Sequence, residues 1–162
     1  MKEIYKNLFI GDDSDCFKSK YSDYAVIHAC KTCHQKALHY LKSLPNIHPH
    51  YLIYEKDNHL YLNMVDMREL LSVYTNPIMQ SAMRFIDLRL PNEKVLVHCN
   101  QGFSRSPSIV LIYMALKELL SDNSYTEAKS EFIKIYPSYL PGIGLELYLA
   151  HNWSDLMKQL LL

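Results

Sequence analysis

Cys99 and Arg105 stand six positions apart in the stretch Val95-Leu96-Val97-His98-Cys99-Asn100-Gln101-Gly102-Phe103-Ser104-Arg105-Ser106-Pro107-Ser108, and their side chains have complementary chemistry. A thiolate is a strong nucleophile. A guanidinium can hold two oxygens of a tetrahedral oxyanion in a bidentate fork. Gly102, between them, supplies the backbone freedom a tight turn needs if its amides are to aim inward. A phosphate held by Arg105 and the loop amides would present its phosphorus to the Cys99 sulfur, the geometry of an in-line displacement.

The flanking residues say what must position this loop. Val95 to Val97 is short, β-branched and apolar, as in a buried strand, and Ile109 to Leu116 is apolar on all faces, as in a buried helix. Ser106-Pro107 reads as the cap and first residue of that helix. The loop therefore ends at a helix N-terminus, where unpaired amides and the positive end of the helix dipole favour an anion. Such surroundings also favour the thiolate form of a cysteine.

Other β-prone runs are Ile4 to Ile10, Tyr24 to Cys30, Tyr51 to Tyr54 and Leu60 to Val65, with turn signals at Asp12-Asp13-Ser14 and Glu55-Lys56-Asp57-Asn58. Helical patterns follow Asn76-Pro77, read as N-cap and first residue, with Ile78, Ala82, Ile86 and Leu90 in register. They also follow the capping box Ser124 to Glu127 and run along Leu145, Leu149, Trp153, Leu156 and Leu160. A weaker helix spans Cys33 to Leu44, before Pro45. The expected fold is α/β, with a central, mostly parallel sheet of four to five strands flanked by helices, in one domain over residues 1–162.

His98-Cys99, Gly102 and Arg105-Ser106 together match HCxxGxxRS, and on these residues the chain resembles the cysteine-dependent protein tyrosine phosphatases, most closely the dual-specificity branch. The resemblance implies a phosphocysteine intermediate and no cofactor or metal. It makes Cys99 the nucleophile and Arg105 the phosphate ligand, with Asn100, Gln101, Gly102, Phe103 and Ser104 wrapping the phosphate. Ser106 would hydrogen-bond the departing thiolate, and His98 would orient the loop from behind. Asp66 is the expected general acid: it follows the Leu60 to Val65 run and lies 33 residues before Cys99, where this branch carries its aspartic acid. Asp57, Asp87 and Glu69 compete for that role. The overall look is similar to small bacterial or phage members, with a helix-like insert from Lys31 to His50.

The resemblance implies a substrate that is a phosphorylated protein, at phosphotyrosine and also phosphoserine or phosphothreonine. The loop adds no lysine or second arginine, which favours a monophosphate ester. About 65 residues before Asp66 leave no room for the long phosphotyrosine-recognition loop of the large tyrosine-specific enzymes. A non-protein phosphomonoester (inositol phosphate, nucleotide or sugar phosphate) is the alternative, and a phosphopeptide-binding module is a further one.

Cys30-Lys31-Thr32-Cys33 spells CxxC without a second such pair or a spaced histidine pair, so structural cysteines are expected there. Some relatives protect the nucleophile by a disulfide, a role Cys30 could fill for Cys99. The eight histidines show no metalloprotease-like spacing and read as solvated or core residues. Composition agrees with a folded chain: 162 residues are 49% hydrophobic and 21% charged, with only four glycines. Seventeen basic residues balance seventeen acidic ones, so no global field attracts nucleic acid or an anionic membrane. Without an apolar leader or spanning run, a cytoplasmic monomer is expected.

Overall fold

The apolar run from Ile4 to Ile10 is broken at Asn7, whose φ of 63° turns the chain back on itself. A computed structural model, which describes residues 1–18 and 23–159, thus has two strands where the sequence suggested one: β1 (Lys2–Tyr5) and β2 (Leu8–Gly11), an antiparallel hairpin. The Glu3 carboxylate accepts the Asn7 N–H at 2.9 Å and stabilises the turn. This hairpin is why the sheet has six strands rather than four or five.

The other strands are β3 (Tyr24–His28), β4 (Ile53–Lys56), β5 (His59–Leu62) and β6 (Lys94–His98), in the order β1-β2-β6-β3-β5-β4. The four central strands run parallel, and β1 and β4 are antiparallel edges. Successive strand residues face opposite sides of a sheet. Val95 and Val97 of β6, with Ala25 and Ile27 of β3, join the main apolar core, whereas His98 and His28 turn to the other face.

Among the described residues, six helices accompany the sheet: α1 (Asp13–Lys18), α2 (Lys31–Leu38), α3 (Ser72–Arg89), α4 (Arg105–Leu116), α5 (Tyr125–Ile135) and α6 (Ile143–Gln159). α4 packs against α3, α5, α6 and β6, and its residues from Arg105 to Ala115 are all buried. That explains its apolarity on every side. Leu145, Leu149, Trp153 and Leu156 of α6 are core residues as expected, and Leu160 lies outside the described residues.

Some element boundaries differ from the sequence pattern. α3 begins at Ser72, so Pro77 lies inside it rather than at its first position. Its N-cap is Leu71, which carries no polar side chain to mark the start. α2 occupies Lys31–Leu38 and stops at His39, whose φ of 57° is left-handed. α1 forms where turn residues were expected, because Asp12 Oδ1 accepts both the Ser14 N–H and its hydroxyl, as a helix cap does. The capping box is as expected, with Ser124 Oγ accepting the Glu127 N–H at 3.2 Å. Among the described residues, no helix is long and apolar enough to cross a membrane.

Candidate active site

The loop from Cys99 to Ser104 leaves the C-terminal end of β6 and enters α4, whose N-cap is Ser104; Ser106-Pro107 falls within the first turn. β6 lies between β2 and β3, which fixes the loop's start on both sides. The His98 carbonyl also accepts the Ala29 N–H at 2.8 Å.

Three loop carbonyls are taken up from outside. Asn100 O accepts Asp13 N–H at 3.2 Å, Gly102 O accepts the Tyr136 hydroxyl at 2.9 Å, and Phe103 O accepts Leu140 N–H at 2.9 Å. Among the described residues there are no cis peptide bonds, and in a trans peptide the next N–H points opposite the carbonyl. The amides of Gln101, Phe103 and Ser104 are therefore turned away from those partners, toward the concave side of the loop. Gly102 permits this with a φ of +74°, and a Cβ there would lie 3.2 Å from Gly11 O.

Cys99 is buried at the floor of the loop, and the Ser106 hydroxyl lies 3.2 Å from its sulfur, positioned to donate to it. Arg105 is also buried. Its Nη1 donates to Met64 O at 3.1 Å, just beyond β5. Its Nε lies 3.4 Å from Asp66 Oδ2 without hydrogen-bond alignment, so it is a buried donor with no hydrogen-bond partner among the described residues. Leaving such a donor unmet costs about 1–3 kcal/mol, and an anion in the loop would remove that cost. The side chains of Asn100, Gln101 and Phe103 form an exposed rim.

Asp66 sits over this loop. Its Oδ1 accepts the Ser104 hydroxyl at 2.9 Å, and Ser104 Oγ in turn accepts Gly142 N–H at 2.9 Å. Asp66 is thus coupled to the loop by Arg105 and by Ser104. The competing acids lie elsewhere: Asp57 occupies the β4–β5 turn with φ 54°, and Asp87 pairs with Lys117. Glu69 is exposed further along the segment that carries Asp66. Beside that segment runs a groove lined by Tyr51, Leu52, Val65, Met67, Leu71 and Tyr74. Tyr136, Leu140 and Gly142 brace the loop from 30 to 40 residues downstream, and no local spacing announces them.

Behind the loop, His98 Nε2 meets His28 Nδ1 at 2.7 Å, and His28 Nε2 meets His59 Nδ1 at 2.9 Å. Burial holds His28 down to about 4. Burial also pulls on His98, but the hydrogen bond and charge of Cys16 outweigh it and hold His98 above the ordinary value. The run expected to end at Cys30 ends as a strand at His28, beside β6; Cys30 is instead the N-cap of α2, and its thiol is hydrogen-bonded with that of Cys33.

Residues 18–136 match the family described as dual specificity phosphatase, catalytic domain. Among solved structures, the chain is similar to a leucine rich repeat and phosphatase domain containing protein from Entamoeba histolytica, at 17% identity and a TM-score of 0.66, covering 97% of this chain and 92% of that one. DUSP15 shares 18% identity at a TM-score of 0.62, covering 99% and 94%. The human tyrosine phosphatase-like serine/threonine/tyrosine-interacting protein shares 21% at 0.60, covering 98% and 93%. At these identities the structures share a fold.

Proposed function

Because the chain belongs to the dual specificity phosphatase catalytic-domain family, we propose that it hydrolyses phosphotyrosine, and phosphoserine or phosphothreonine, on proteins through a phosphocysteine formed at Cys99. The observation that carries this reading is the buried Nε of Arg105, ion-paired with Asp66 but without an aligned hydrogen-bond acceptor, beside a loop floored by the Cys99 thiol. A phosphate dianion supplies the acceptor that Nε lacks. It also brings phosphorus within reach of the sulfur.

In the first step the Cys99 thiolate attacks phosphorus and the ester P–O bond breaks. Asp66, in its acid form, gives its proton to the leaving oxygen, while Arg105 and the loop amides hold the other oxygens. In the second step water attacks phosphorus, Asp66 takes its proton, and the sulfur leaves as thiolate, steadied by the Ser106 hydroxyl. The chemistry is complete with these side chains and routes no step through a metal. The groove beside Asp66 offers aromatic and aliphatic walls to an aryl group and the flanking peptide.

The test is turnover of an aryl phosphate in EDTA. Wild type is expected to be active and Cys99→Ser inactive. Asp66→Asn should fall by roughly 10²-fold with leaving groups that need protonation. Full activity of Cys99→Ser would overturn the mechanism. A panel of phosphopeptides, inositol phosphates, nucleotides and sugar phosphates then assigns the substrate, and preference for a non-protein ester would overturn the phosphoprotein reading.

A further inference from the structure

On the face of the sheet opposite the main core, four side chains from four elements converge: Cys16 of α1, His28 at the end of β3, Cys33 in the first turn of α2 and His98 at the end of β6. Their ligand atoms all lie within 4.8 Å of one another. Cys16 Sγ is 3.7 Å from Cys33 Sγ and 3.6 Å from His28 Nδ1. We propose that Cys16, Cys33, His28 and His98 form a tetrahedral Cys2His2 site for a structural zinc ion, placed directly behind the Cys99 loop.

The distances suit that ion. Zinc bonds of about 2.3 Å to sulfur and about 2.0–2.1 Å to nitrogen set tetrahedral ligand atoms roughly 3.3 to 3.8 Å apart. The Cys16–Cys33 sulfur–sulfur edge and the Cys16–His28 sulfur–nitrogen edge already fall in this range. The edge between the two imidazoles must open from 2.7 Å to roughly 3.3 Å, and edges that approach the 4.8 Å bound must close by up to about 1 Å. Two thiolates with two imidazoles in a closed tetrahedron is also the donor set that selects zinc over harder cations.

The surroundings support the same assignment. A ligating histidine normally gives its other ring N–H to a nearby acceptor, which fixes its tautomer. His28, coordinating through Nδ1, has Nε2 at 2.9 Å from His59 Nδ1. His98, coordinating through Nε2, has Nδ1 at 3.4 Å from the Cys99 carbonyl. Both imidazoles are buried, and His28 and His98 are direct partners in the β3–β6 ladder, so the sheet presents them side by side. Binding releases the two thiol protons and leaves both imidazoles neutral. The ion would tie two short helices, α1 and α2, to the strand that carries the nucleophile. The site adjoins the phosphatase chemistry through His98, which precedes Cys99 and meets its carbonyl.

The full chain, expressed in zinc-supplemented medium and purified under reductant without chelator, is expected to carry about one zinc per chain by elemental mass spectrometry. Cys99→Ser should keep it, whereas Cys16→Ser and Cys33→Ser should lose it. In case those variants fail to fold, Co²⁺ titrated into metal-stripped wild type provides a second readout: the intense visible bands of tetrahedral cobalt with thiolate-to-metal charge transfer. A zinc-free wild type whose cobalt spectrum stays weak and octahedral would overturn the proposal. So would zinc retained by Cys16→Ser and Cys33→Ser but lost from Cys99→Ser, or a Cys16–Cys33 disulfide in the protein purified under reductant. Because the readout is metal content, it is independent of whether the chain turns over a phosphate ester.

Discussion

Gly142 lies far from the catalytic motif, yet a single methyl group there would reach Asp66. A Cβ on Gly142 would sit 2.8 Å from Asp66 Oδ1 and 3.7 Å from Ser104 Oγ, inside the hydrogen-bond chain that holds the carboxylate. Gly142→Ala is therefore expected to displace Asp66. Its kcat should drop by roughly tenfold or more with alkyl-like leaving groups and change little with good aryl leaving groups, which need no proton. A uniform drop across leaving groups would show that Asp66 is not what moved. Cys99, Arg105, Gly102 and Ser106 were legible because one loop carries them and its chemistry is local. Asp66 was legible through its place after the Leu60 to Val65 run and its distance from that loop. Ser104 as a clamp, with Gly142 and Tyr136, was not, since their contacts span 34 to 38 residues of sequence.

At the scale of single elements, polar caps made boundaries readable and apolar ones hid them. α5 begins where its capping box says it should, and Ser124→Ala is expected to lower stability by about 1 kcal/mol in urea unfolding without altering turnover. No loss of stability would mean that water caps the helix equally well. α3 gave no such sign. Leu71 caps it through backbone alone, while Tyr74 N–H and Thr75 N–H both reach Leu71 O at 3.0 Å, so the proline six positions after Leu71 looked like the start. β1 and β2 merged in the sequence because Lys6-Asn7 is a short polar break in an apolar run, and the left-handed φ of Asn7 separates them. The cysteines and histidines on the far face follow no period at all, because a sheet ladder and two short helices bring them together.

Across the whole molecule, the many tyrosines set an alkaline limit. Burial raises Tyr125 and Tyr148 well above the ordinary phenol value and pushes Tyr139 up to about 12. Unfolded, these groups ionise near pH ~10. Above that pH the unfolded chain binds fewer protons than the native one, so the stability they contribute is whole below pH ~10 and is lost as pH rises toward 12. Urea midpoints should fall over that window, and Tyr148→Phe should flatten the decline; an unchanged slope would assign it to other groups. The strand order carries a different consequence. β6 lies between β2 and β3, yet it is the last of the six strands to be synthesised. Until it inserts, β2 and β3 expose facing parallel edges that invite pairing with other chains, and closing them requires a long-range contact that forms slowly. A nascent chain thus has no partly competent form: insertion of the strand bearing Cys99 is the event that both completes the sheet and creates the cradle.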